Sequence, residues 1–194
     1  MGFIKIADYI TPMSSGNVSV DIMDYTTKTI GFMESISGIK KEKYARLKIN
    51  GSCIMSETPM EHRTNYRFIL NAYGDILIGG LGIGMIILPI QDSPNVKSIT
   101  VIEKNLDVIK CIQHQLPFND KVKIINEDVF DYKPERKYDC IYMDIWAYVN
   151  KDIYEEMKKL KRKYGHYLKP IEESPNRFNY CWCEYEAKNE RRLL

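Results

Sequence analysis

The chain of 194 residues contains no long uninterrupted apolar run. The best stretch, Ile76 to Ile90, is broken by glycines and by Pro89, and it falls short of the roughly 20 residues that a bilayer span needs. The opening segment MGFIKIADYITPMSSG has no continuous apolar region of the kind a secretory leader carries. No membrane association is therefore expected, and a reducing cytoplasm is the expected location. Strong charge is also missing. With 28 basic and 26 acidic side chains the formal net charge is +2, so no field draws the chain to nucleic acid or to an anionic membrane. A metal-binding pattern is absent too: Cys181-Trp182-Cys183 has no second ligand pair at metal spacing, and no metal is expected. The five cysteines are an odd count, and Cys111 and Cys140 sit in apolar patterns that suit reduced, buried thiols. His62, His114 and His166 are scattered and form no catalytic arrangement. There is no internal repeat and no low-complexity linker.

What is present reads as a globular domain with an extension. The hydrophobic fraction of 44% and charged fraction of 28% are ordinary for a folded protein. Up to residue 70 the pattern alternates. Val18 to Ile22 and Tyr44 to Ile49 have the period of half-exposed strands, and Asn50-Gly51 predicts a hairpin over Tyr44 to Ile54. A helix is predicted from Pro59 to Leu70. Glu57, Glu61 and His62 precede the core and could reach over the pocket, but a surface role is expected for each.

From Asp75 the pattern changes to continuous apolar strands at Ile76–Gly79, Ile99–Ile102, Val122–Asn126 and Cys140–Met143, separated by helical segments. Runs of that kind suit a parallel sheet covered on both faces. Asn105 is a cap for the helix bearing Leu106, Ile109 and Ile112, and Asn150 for the helix to about Tyr164. The basic stretch Lys158 to Lys169 could steer an acidic substrate or RNA, but it is read as a solvated helix face with Met157 and Leu160 turned inward. The segment from Arg177 onward is ambiguous between a strand at Asn179–Cys183 and a helix. The expected fold is α/β and Rossmann-like, with a mainly parallel sheet, helices on both faces and a small β-hairpin extension in front.

The densest signal is Asp75 to Gly84, DILIGGLGIG, with glycine at 79, 80, 82 and 84. Glycines directly after an apolar strand let backbone N–H groups approach a ligand that a Cβ would block. Glu103, at the end of the second strand, can accept both hydroxyls of a ribose. A nicotinamide or flavin site is weakened because G-x-G-x-x-G counted from Gly80 places Met85 where a small residue is needed. A phosphate loop is excluded by the lack of lysine between Asp75 and Gln91.

With these readings set aside, the segment from Asp75 to Trp146 resembles the class I S-adenosylmethionine-dependent methyltransferases. Gly80-Leu81-Gly82-Ile83-Gly84, preceded by Gly79, looks like the first motif of that family, and Glu103, beside Lys104, looks like its ribose ligand. Asn126 to Phe130 is similar to the adenine-reading segment, which implies roles for Asp128 and Val129. Asp144 is similar to the fourth motif, beside the reacting group, and is implied as both cofactor contact and catalytic residue. The resemblance divides the chain at residues 1–70, an extension, and 71–194, the cofactor-binding domain. It implies a methyltransferase using S-adenosylmethionine on a small-molecule acceptor. Trp146 and Tyr148 are candidates for an aromatic wall against that acceptor, although Trp146 also suits a lid packed on Ile145.

Leu47 to Gly51, Met55 to Thr58 and the helix from Glu61 resemble the amino-terminal part of spermidine synthases. That family carries two aspartates three residues apart in its fourth motif, whereas here the second place is Ala147, and its glycine loop holds an aspartate that Gly79–Gly84 lacks. The label that fits is a spermidine synthase-like methyltransferase. An aminopropyltransferase and a non-catalytic regulator that binds the cofactor are the rivals. The motif of an Asn or Asp followed by Pro-Pro and an aromatic, used on DNA amines, is absent, which disfavours base methylation. The short segment after Asp144 leaves room for an acceptor pocket completed by a second subunit, as in a homodimer.

Overall fold

The computed structural model describes residues 4–191 and 193. Residues 1–3 of the extension, and residues 192 and 194 at the other end, lie outside it. A short turn of helix at Ile6–Asp8 leads into an antiparallel sheet of Met13–Ser15 (β1), Val18–Asp24 (β2), Lys43–Ile49 (β3) and Ser52–Ser56 (β4), in that order across the sheet. A short helix, Phe32–Ile36 (α1), interrupts the connection from β2 to β3. Asn50 and Gly51 both have positive φ, 52° and 78°, the conformation a two-residue hairpin demands, so this turn forms as expected. The expected hairpin is thus half of a four-stranded sheet.

Glu57 is fully buried, not on the surface as expected. Its carboxylate accepts the backbone N–H groups of Ile6, Ala7 (2.9 Å) and Ala45 (3.2 Å), which ties the start of the chain to β3. Three donors on one carboxylate offset the cost of removing it from water.

Pro59–Asn71 (α2) starts with proline in its first turn, where the missing N–H has no consequence, and carries the chain to the main sheet. The remaining elements are Gly74–Gly79 (β5), Leu88–Gln91 (α3), Val96–Glu103 (β6), Leu106–Ile112 (α4), Val122–Asn126 (β7), Cys140–Met143 (β8), Lys151–Gly165 (α5), Phe178–Cys181 (β9) and Glu184–Lys188 (α6). The ambiguous end of the chain therefore supplies a strand and then a short helix. Asn105 and Asn150 cap α4 and α5, accepting the N–H groups of Asp107 and Ile153.

The main sheet is parallel throughout, in the order β7-β6-β5-β8-β9. The central strands β5 and β8 are buried on both faces, whereas the edge strand β7 is not. Ile76 and Ile78 join a core with α2, α4 and the antiparallel sheet, while Leu77 joins a second core with Ile141, Met143 and the inner face of α5. Met157 and Leu160 lie in that second core, as the helical pattern predicts. Lys169 lies beyond α5, and its ammonium sits 2.8 Å from Asp75 and 2.7 Å from Asp139 at the amino ends of β5 and β8. It clamps the sheet there instead of facing solvent. The chain reverses its direction of winding between β5 and β8. In open parallel sheets a crevice forms beyond the carboxyl ends of strands at such a point. Among the described residues no helix is long and apolar enough to cross a membrane.

Candidate functional site

The loops after β5 and β8 are pressed together. The Asp144 N–H donates to the Gly79 carbonyl at 2.8 Å. Gly80 has φ +97°, and a Cβ there would lie 2.1 Å from the Asp144 carbonyl oxygen. Only glycine fits. At Gly82, with φ +51°, a Cβ would meet the Met55 sulfur at 2.4 Å, so the antiparallel sheet reaches over the loop at this point. Gly79 and Gly84 serve packing: a Cβ at either would strike Met143 or Leu116, respectively, and neither residue lines the crevice.

Glu103 closes β6 with both oxygens engaged by backbone. Oε2 accepts the Leu81 N–H at 2.9 Å and Oε1 accepts the Asn105 N–H at 2.8 Å. Burial raises its pKa, and these N–H groups oppose the rise. After β7, Asp128 accepts the Phe130 N–H at 2.9 Å and pairs with the Lys104 ammonium at 2.7 Å. That lysine holds the Asp128 carboxyl below its ordinary range.

Between these groups lies a cavity of about 630 Å³, within the range of small-molecule sites. Gly80, Gly82, Glu103, Lys104, Asp128, Val129, Asp144 and Trp146 all line it, which brings together most of the residues singled out in the sequence. Tyr148 is the exception among the acceptor-wall candidates: it is 63% exposed and does not line the cavity, because the chain has turned outward beyond Ala147. Leu106 and Phe130, exposed apolar side chains, stand at the rim.

Glu61 is a correction. Expected on the surface, it is only 9% exposed and lines the cavity together with Asp144. Burial lifts its pKa from 4.5 to about 7, opposed only by a hydrogen bond from the Ser56 backbone. Burial, and then the charge of Glu61, push the Asp144 carboxyl well above its usual range. Two carboxylates therefore face one space, and among the described residues the one cation lining it, Lys104, is paired with Asp128. Trp146 and Trp182 complete this part of the wall. The indole N–H of Trp146 donates to Glu156 at 2.8 Å, and that of Trp182 to the Thr64 hydroxyl at 3.0 Å. With those polar atoms engaged elsewhere, both rings offer carbon to the cavity.

Sequence reading preferred a surface role for Glu61 over reach across the pocket, and it missed Trp182 as a site residue. A usable signal for the first existed: Glu61, Asn65, Phe68 and Ile69 recur on one helical face, and all four are buried. Trp182 directly follows β9, whose place at the sheet edge was not legible.

No family model matches the sequence, and no curated protein matches it. Solved structures similar to it include methyltransferases and a spermidine synthase. The spermidine synthase, solved in complex with the transition state analogue AdoDATO, aligns with a TM-score of 0.53 at 15% identity over 82% of this chain and 52% of that one. The N-methyltransferase NodS from Bradyrhizobium japonicum WM9 aligns with a TM-score of 0.44 at 17% identity over 58% of this chain and 64% of its own. The plantazolicin methyltransferase BpumL, in complex with SAH, aligns with a TM-score of 0.41 at 17% identity over 57% of this chain and 48% of its own. The chain thus spans 64% of the first of the two methyltransferases and about half of the other two proteins. The likeness is one of fold.

Proposed function

We propose that the protein is an S-adenosylmethionine-dependent methyltransferase acting on a small-molecule acceptor. One observation carries the reading: Gly80, Gly82, Glu103 and Asp128, each at the carboxyl end of a parallel strand or just beyond it, converge on a single cavity at the switch point of the sheet. The groups suit the ligand. The glycines leave the space that a Cβ would fill. Glu103 offers acceptor lone pairs for ribose hydroxyls, and Asp128 offers its carboxylate to an adenine amino group in place of Lys104. Leu106 and Phe130 at the rim, with Ile102 and Val129 deeper, form apolar walls for a flat ring.

Bound there, S-adenosylmethionine supplies a sulfonium methyl group open to in-line attack by a nucleophile. What the protein adds is position, and holding two reactants in line is worth ~7–11 kcal/mol of barrier. Asp144, fixed through its backbone to Gly79, faces the acceptor side and orients the nucleophile. The indole rings of Trp146 and Trp182 exclude water from that side.

A second reading, aminopropyl transfer, is favoured by one finding: the alignment to the spermidine synthase takes in 82% of the chain, so it extends beyond the parallel sheet into the amino-terminal region. Calorimetry with S-adenosylmethionine and its demethylated product, followed by radiolabelled methyl transfer to an acceptor panel, tests the proposal. Micromolar binding and label on an acceptor are expected. Loss of either, or spermidine formed from decarboxylated cofactor and putrescine, overturns it.

A further inference from the structure

Glu61 on α2 and Asp144, whose loop is pressed against Gly80, place two carboxylates on the cavity, and among the described residues the one cation that lines it, Lys104, pairs with Asp128 instead. Elsewhere the cavity's acids are balanced: Glu103 by backbone N–H groups, Asp128 by Lys104. Glu61 has one backbone donor and is 9% exposed. A carboxylate kept so dry is costly unless a ligand brings the opposite charge. The neighbouring indoles present apolar ring carbon, which favours a cation further.

We propose, resting on the methyl-donor reading above, that the acceptor is an aliphatic amine that enters as its ammonium ion between Glu61 and Asp144, and that Glu61 takes its proton. In that transfer an ammonium N–H bond breaks and a carboxyl O–H bond forms, while the N–H bonding pair remains on nitrogen as the lone pair that attacks. Methylation then uses that pair to form the N–C bond, the C–S pair stays on sulfur, and the product nitrogen is again cationic. No further reactant is needed. Glu61 suits the role because a proton acceptor works best when its own affinity for the proton is close to the ambient pH.

The other titratable groups coupled to Glu61 are Cys53 on β4, Tyr142 on β8 and Cys183 after β9. Burial raises all three, so they remain neutral near pH 7, and Asp144 is the remaining acid in this set.

The test is calorimetry on the whole protein, free and with S-adenosylhomocysteine. The probes are butylamine, putrescine and benzylamine, with butanol and butyrate as isosteres lacking the positive charge. At least one amine is expected to bind tenfold or more tightly than butanol, with affinity rising as pH passes from 6 to 8. In Glu61→Gln the amine should lose tenfold or more and its pH dependence should flatten, while S-adenosylhomocysteine affinity stays within twofold. Glu61→Asp should keep part of the preference. Equal binding of amine and butanol, no amine binding at all, or an unaltered amine affinity in a folded Glu61→Gln overturns the proposal. Failure of S-adenosylhomocysteine to bind sinks the methyl-donor reading instead, and amine binding to the free protein still decides this one.

Discussion

Glu103 accepts the backbone N–H of Leu81 across 2.9 Å, so the acid at the end of β6 holds the glycine loop at the end of β5. Its other oxygen holds Asn105, the cap of α4. One carboxylate thereby fixes both edges of the crevice before any ligand arrives. Removing it as Glu103→Ala leaves two backbone donors without their acceptor, at about 1–3 kcal/mol each where they are shielded from water. A lower unfolding midpoint and at least a tenfold loss of S-adenosylhomocysteine affinity are expected, measured by thermal denaturation and calorimetry. Glu103→Gln keeps one acceptor oxygen and should fall between. Undiminished affinity in Glu103→Ala would remove the basis of the cofactor reading.

Gly80 and Gly51 make a second comparison. Both have positive φ, +97° and +78°, but a Cβ at Gly80 lies 2.1 Å from the Asp144 carbonyl, whereas nothing lies within 4 Å at Gly51. Gly51→Ala should cost only the backbone strain, about 1–2 kcal/mol. Gly80→Ala must in addition push apart the loops after β5 and β8. It should cost several kcal/mol more and abolish S-adenosylhomocysteine binding, as read by urea unfolding and calorimetry. Equal costs at the two sites would mean that the loops are not locked together.

These two glycines also mark what the sequence could disclose. Strands β5, β6 and β8 were legible because parallel strands buried on both faces are continuous apolar runs, and Asn50-Gly51 because its turn allows few other residues. The glycine loop, Glu103 and Asp128 were legible through their order after the strands. Helical spacing marks Glu61 as part of the buried face of α2, but not that this face closes over a crevice made by residues far along the chain. Tyr148 misled for a related reason: two residues past Trp146, the chain has already turned away from the cavity. β1 is three residues long and gives no periodicity to read.

The aromatic wall can be tested by contrast. Trp146 lines the cavity and is anchored to Glu156 on α5, whereas Tyr148 is 63% exposed and outside it. Trp146→Ala should slow methyl transfer tenfold or more by loosening the acceptor. Tyr148→Ala should leave rate and stability within twofold and about 0.5 kcal/mol of the parent. Comparable losses in both variants would move the acceptor site out toward solvent.

Glu61 supplies a prediction about stability with a definite sign. Its pKa is raised from 4.5 to about 7 in the folded protein. Between those two values the folded state keeps a proton that the unfolded chain has released, so stability falls as pH rises through this window and levels off above it. A shift of this size corresponds to about 3 kcal/mol. Asp144, raised for the same reason, adds in the same direction. In Glu61→Gln the neutral amide abolishes the Glu61 part at every pH. The variant should match the parent near pH 4.5 and exceed its unfolding free energy by up to about 3 kcal/mol at pH 8, as measured by urea denaturation at both values. The same substitution is expected to weaken amine binding, so stability and binding should move in opposite directions. A variant no more stable than the parent at pH 8 would show that water or a cation already reaches the Glu61 carboxylate, and with it the case for a charge reserved for a ligand would fail.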